Sequence, residues 1–227
     1  MRARLLLLTL WAAGLFGCST MQTTPTPTKV AAPTTSRRVR VVAPKPSPYA
    51  MTCSDHPSID RWESQLRRDR QRLKRIAARP EAERVRRLVV GAGLPESLAI
   101  IPILESSYRA HVHSHDGGAG LWQLQKPTAR RFGLVVSKDN DERLDPDRST
   151  RAAIRYLRML HWHYHSWPLA LAAYNAGEGR VDRGLDARPR ATVWDLAAHQ
   201  HIPQRTAAYV GRFFAMARLL ETTGPPC

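Results

Sequence analysis

The stretch Ile100-Ile101-Pro102-Ile103-Leu104-Glu105-Ser106-Ser107-Tyr108 places one carboxylate directly after an unbroken apolar run. A carboxylate buried there is costly to ionise, so its pKa rises. A carboxylic acid still protonated near neutral pH is what general acid catalysis requires. On spacing alone, a helix-terminal glutamate turned to solvent fits better, so Glu105 needs company. Two segments supply it. Gly117-Gly118-Ala119-Gly120-Leu121-Trp122-Gln123 is a glycine-rich turn that can bring backbone close to a ligand while Gln123 donates and accepts hydrogen bonds. Ala173-Tyr174-Asn175-Ala176-Gly177 closes an apolar run with polar groups that could face the same cleft.

A rival chemistry is metal binding. His111-Val112-His113-Ser114-His115 and His161-Trp162-His163-Tyr164-His165 look like ligand runs, and His161 and His165 would share a helical face. No glutamate stands between those histidines, as the familiar helical zinc motif requires. Solvent-facing histidine near a helix end is the commoner arrangement. Neither a metal nor an organic cofactor is expected.

These groups must be positioned by helices. Ile59, Trp62, Leu66, Leu73 and Ile76 recur at helical spacing, with Ser58 as candidate N-cap. Pro80 suits the first turn of a second helix through Val90, stopped by Gly91. Pro95 opens a third, apolar on most sides. Asp147 or Ser149 starts a fourth, lined by Ala153, Tyr156, Leu157 and Leu160. Pro168 opens a nearly all-apolar fifth, and Thr206 to Leu220 forms the last, with Val210, Phe213, Phe214 and Ala217 inward. No period-two run stands out, so the expected fold class is all-α.

The segments occur in one order: LP..LA.IP..ESSY, S..GGAGLWQL..PTAR.FGL, DER.DP..ST.AA.RYL, W.LALAAYNAGEGRV and P..T..YV, spanning roughly Leu94 to Leu219. Together they resemble the lytic transglycosylases of lysozyme-like fold that act on bacterial peptidoglycan, within them the membrane-bound D type. The resemblance implies that Glu105 is the sole catalytic acid/base and that Ser106 helps shape the site. It implies substrate contacts from Ser114, Gln123, Tyr174 and Asn175, and a Tyr209 hydroxyl near the catalytic carboxylate. One departure is that Arg205 stands where the family's Pro-x-Glu-Thr pattern has an acid; it could alter a salt bridge supporting Tyr209 or shift substrate preference. Wall affinity is expected from the catalytic domain and its charge.

Most glycosidases flank the bond with two carboxylates. Asp116, Asp139, Asp141, Glu142 and Asp145 are candidates for a second, but all lie in polar, loop-like sequence that favours solvated or turn-forming acids. With one acid, the family chemistry has the muramyl 6-hydroxyl close on C1, leaving a 1,6-anhydro end. A water-using muramidase and a non-catalytic wall-binding lipoprotein are the alternatives.

The N-terminal region sets the address. Arg2 and Arg4 precede an uncharged stretch, Leu5 to Phe16, too short to span a bilayer, and Leu15-Phe16-Gly17-Cys18 resembles a bacterial lipobox. Residues 1–17 are expected to be a signal peptide with Cys18 lipidated, and Ser19 favours the outer membrane, facing the periplasm. Residues 18–57 are rich in Thr and Pro and read as a flexible tether. Residues 58–227 form the catalytic domain. Cys53 and Cys227 could pair in an oxidising compartment, or remain free thiols.

The chain has 227 residues, with 35 Lys+Arg against 19 Asp+Glu, a net charge of +16. Nucleic acid is the first partner such charge suggests, but a secreted, lipid-tethered protein does not meet it. Arg61 to Arg87 holds eleven basic and four acidic residues, mostly the solvated faces of amphipathic helices. The expected partners are peptidoglycan strands and, through the anchor, a membrane.

Overall fold

A computed structural model describes residues 55–221. The expected signal peptide, Cys18, most of the tether, Cys53 and Cys227 lie outside the described residues. Asp55 and His56, which composition assigns to the tether, are already tied to the domain. Arg218 donates to Asp55 at 2.9 Å, and the His56 ring stacks on Trp194 at 4.2 Å.

Helix α1 (Pro57–Leu66) is capped by His56, whose ring nitrogen accepts from the Ser58 amide; Ser58 is therefore inside the helix and is not its cap. The apolar stripe expected on one helix runs over two. A 3-10 turn at Arg67–Asp69, which buries nothing, separates α1 from α2 (Arg70–Ala77). Helix α3 (Pro80–Gly91) follows, with Pro80 in its first turn. The stretch after Pro95 is a 3-10 turn (Glu96–Ile100) running into the short α4 (Ile101–Ser106). Short α5 (Lys126–Arg131) leads toward α6 (Pro146–Tyr164). Helix α6 starts earlier than Asp147, because the Asp145 carboxylate accepts from the amides of Asp147 and Arg148 and caps it.

Helix α7 (Trp167–Ala176) is capped by Ser166 and buries Ala170, Leu171, Ala172 and Ala173 in succession, so it runs through the interior. Helices α8 (Glu178–Ala187), α9 (Val193–Ala198) and α10 (Gln204–Leu220) complete the order. Helix α10 packs on α1, α7 and α9. Its Val210, Phe213, Phe214 and Leu219 are buried, each worth roughly 1.5–3 kcal/mol relative to exposure. Gly211 lets α1 come close, since a Cβ there would stand 2.9 Å from Trp62 Cδ1. Among the described residues the only extended pairing is in isolated bridges, such as His113 with Ala119, so the domain is all-α. No described helix is long and apolar enough to cross a membrane.

Candidate active site

Glu105 occupies the last turn of α4, behind the buried Ile101, Pro102 and Ile103. Two consecutive non-glycine residues then turn left-handed, Ser107 at φ 52° and Tyr108 at φ 58°. Each such residue costs roughly 1–2 kcal/mol, so the surroundings must hold them. Their amides return to Ile103 O and Pro102 O, at 3.2 and 3.1 Å. Arg79 donates to Ser107 O at 2.8 Å, and Tyr108 Oη donates to Ala99 O at 2.6 Å. The chain therefore leaves Glu105 in one fixed direction.

Tyr209, in the second turn of α10, donates its hydroxyl to Glu105 Oε1 at 2.8 Å. Burial is the main cause that pushes the Glu105 carboxyl up to about 7; the Tyr209 bond opposes it, and the charge of Asp116 adds to it. Burial, then the Glu105 charge, pushes the Tyr209 and Tyr174 hydroxyls well above their ordinary range. Both therefore stay protonated donors.

The glycine-rich turn is fastened to this acid. Ser106 Oγ donates to Leu121 O at 2.9 Å, joining the end of α4 to the turn. Tyr174 Oη donates to Trp122 O at 2.6 Å, and the buried Trp122 indole donates to Thr150 Oγ1 at 2.9 Å. Gln123 spends its amide nitrogen on Gly120 O and Val112 O, at 2.7 and 3.2 Å, which stiffens the loop. Ser114 donates to Asp116 at 2.5 Å and accepts from the Gly118 amide at 2.9 Å.

Beneath the turn lies Arg143, buried and paired with Asp141 at 2.7 Å. Its guanidinium also donates to Gly117 O and Leu124 O, at 2.8 and 2.9 Å, so it grips both ends of the glycine-rich turn. Gly120 sits directly on it: at φ 76°, any Cβ would run into the Arg143 carbonyl. Asn175 Oδ1 accepts from Thr206 Oγ1 at 3.0 Å, joining the end of α7 to the start of α10.

Of the candidate residues, Glu105 and Tyr209 are in direct contact. Ser106, Tyr174 and Gln123 converge on the Leu121–Gln123 turn, Ser114 organises Asp116, and Asn175 holds α10. Arg143 and Thr150 act in the same assembly without having been singled out by the sequence. The signal for Arg143 is a charged Asp-Glu-Arg run, which reads as loop until its partners are known. The histidines do not gather. His161 packs on Trp167, His163 meets Asp182, and among the described residues no three His, Cys, Asp or Glu converge as metal ligands.

The family model described as "Transglycosylase SLT domain" matches residues 91–196. Membrane-bound lytic murein transglycosylase D of Escherichia coli (strain K12) is 35% identical over 135 residues, 57% of this chain and 29% of that one. Membrane-bound lytic murein transglycosylase F of Vibrio cholerae is 34% identical over 99 residues, 40% of this chain and 17% of that one. This chain therefore spans less than a third of either relative's length. Among solved structures, an inactive glutamate-to-glutamine mutant of the lytic transglycosylase Slt from Pseudomonas aeruginosa aligns at TM-score 0.50 and 29% identity, over 64% of this chain and 24% of that one. The 70 kDa soluble lytic transglycosylase from Escherichia coli aligns at TM-score 0.52 and 25% identity, over 61% and 24%. Glu105, the turn gripped by Arg143, and the Tyr174–Asn175 helix end all fall within residues 91–196, the span of this chain that the Transglycosylase SLT domain model matches.

Proposed function

We propose that this chain is a peptidoglycan lytic transglycosylase with Glu105 as its single acid/base. The observation that carries the reading is the half-buried, Tyr209-bonded Glu105 within the span matched by the SLT model, with its pKa near 7. An acid poised there can give a proton and then take one back within a cycle. Protonated Glu105 gives its proton to the oxygen linking N-acetylmuramic acid to N-acetylglucosamine, and the C1–O bond breaks. The Glu105 carboxylate then takes the proton of the muramyl 6-hydroxyl as that oxygen bonds to C1. The product is a 1,6-anhydromuramyl end, and no water is consumed. Ser114, Gln123, Tyr174 and Asn175 line or brace the sugar-binding cleft, and Ser106 sets its floor.

The names of the relatives support this reading, as does the inactive glutamate-to-glutamine mutant among the similar structures. One observation favours a second reading. Asp116 is held ionised by its hydrogen bond from Ser114, and its charge is felt at Glu105, so it could serve a hydrolytic muramidase as base. Product mass separates the two on purified sacculi, because an anhydro end lacks the mass of one water. Anhydro ends are expected from wild type, with no release by Glu105→Gln. Reducing ends would select the muramidase, and undiminished release by Glu105→Gln would leave a wall-binding protein.

The cell envelope is the matching location, with Cys18 as the lipid attachment that holds the domain at the outer membrane. Cys18→Ala should move the protein from the membrane fraction to the soluble periplasm; retention would remove the anchor. Pairing of Cys53 with Cys227 is supported by Arg218–Asp55 and Arg70–Glu221, which join the neighbouring segments. Thiol counting on the unfolded, unreduced protein tests it, and two additional titratable thiols would rule it out.

A further inference from the structure

A polar cavity, of about 460 Å³, opens where α8, α9 and α10 meet. Its polar lining is Arg180, Arg205, Gln200, His201 and Gln204, and no aspartate or glutamate contributes to it. Some surface arginines are answered by acids, as Arg84 is by Asp147, Arg87 by Glu83 and Arg131 by Glu178. Arg180 and Arg205 have no carboxylate partner among the described residues.

Their place in the fold is specific. Arg205 stands one residue before Thr206 and Arg180 five residues after Asn175, and the Thr206–Asn175 hydrogen bond joins the two segments. Arg205 also precedes Tyr209 by one helical turn, the i,i+4 relation that puts both on one side of α10. Tyr209 touches Glu105. Arg205 is therefore one turn of helix from the residue that bonds the acid.

We propose that Arg180 and Arg205 form a carboxylate-binding subsite that receives the anionic peptide arms of the glycan substrate. The inference rests on the transglycosylase reading and adds what that reading does not contain: a preference for strands whose peptides carry free carboxylates. Two planar, permanently charged forks suit carboxylate oxygens, and charge-assisted hydrogen bonds of this kind are the stronger class.

The test compares kcat/KM on three soluble glycan substrates: strands bearing free-carboxylate peptides, the same strands with those carboxylates amidated, and strands stripped of peptide. Wild type is expected to favour the first over the second by about tenfold. Arg180→Gln should cut that ratio roughly threefold, and Arg205→Glu should abolish or invert it, with melting temperatures reporting that the variants fold. Calorimetric titration of the free peptide arm, carboxylate against amidated, reads the same preference without turnover. An equal ratio in wild type and Arg205→Glu, or equal binding of the two peptides, overturns the subsite. Carboxylate-selective peptide binding with no cleavage of any strand by wild type would instead overturn the parent reading and leave the subsite standing.

Discussion

In the proposed cycle Glu105 is an acid at one moment and a base at the next, and its surroundings balance the two. Burial favours the protonated form, while the Tyr209 hydroxyl favours the carboxylate. Catalysis that starts from the protonated acid should fall about tenfold per pH unit above about 7. Tyr209→Phe removes the bond that stabilises the carboxylate, so the alkaline limb of kcat/KM should move to higher pH while the rate falls roughly 10–100-fold. An unmoved limb would show that the hydroxyl does not act on Glu105. The same balance has a stability sign. Folding raises the Glu105 pKa from 4.5 to about 7, so the native state binds its proton more tightly than the unfolded chain does. Stability from this group is whole below about 4.5 and declines as pH rises toward 7. Glu105→Gln should therefore be more stable than wild type by roughly 1–3 kcal/mol near pH 8 and nearly equal to it near pH 4, as read by urea unfolding.

At the scale of elements, the long amphipathic helices are legible because their apolar residues recur at helical spacing and proline or glycine marks their ends. α6, α7 and α10 are of this kind. The short helices are not. α8 buries only Val181 and Gly184 and carries two internal glycines, which lower helix propensity by about 1 kcal/mol each. Only packing against α7 and α9 makes it a helix. α9 does carry a readable sign, the capping box between Thr192 and Asp195, but it is only six residues long. The break between α1 and α2 is likewise invisible to periodicity, since the stripe continues through it. In the site, Glu105 is marked by the apolar run before it, whereas the role of Arg143 depends on carbonyls up to 26 residues away in sequence. That clamp gives a sharp prediction. Gly120→Ala, at positive φ and against the Arg143 backbone, should lose roughly 2–4 kcal/mol of stability and most wall-digesting activity. A urea midpoint within experimental error of wild type would contradict the close approach.

At the scale of the molecule, nine of the sixteen net positive charges fall in the described residues. Arg61, Arg68, Arg72 and Arg75 are exposed along α1, α2 and the turn between them and have no carboxylate partner among the described residues. Such uncompensated charge acts at range and is screened by salt. Binding of the Glu105→Gln protein to sacculi should weaken at least tenfold between about 0.05 and 0.5 M salt, and changing these four arginines to glutamine should flatten that dependence. Salt-independent pelleting would assign them to solvation alone. The corner where Arg218 meets Asp55 and Arg70 meets Glu221 has a different consequence. The first and last described residues are each ion-paired across the contact between α10 and the N-terminal segment, so the order in which the helices are threaded is separable from the way they pack. A circular permutant, with residues 221 and 55 joined by a short Gly/Ser linker and the chain reopened in the exposed turn between Pro189 and Arg190, should fold with α1 still docked on α10. It should melt within a few degrees of the parent domain and match the parent in the sacculus-digestion assay of the proposed activity, because neither the cut nor the splice touches Glu105, Tyr209 or the Arg143 clamp.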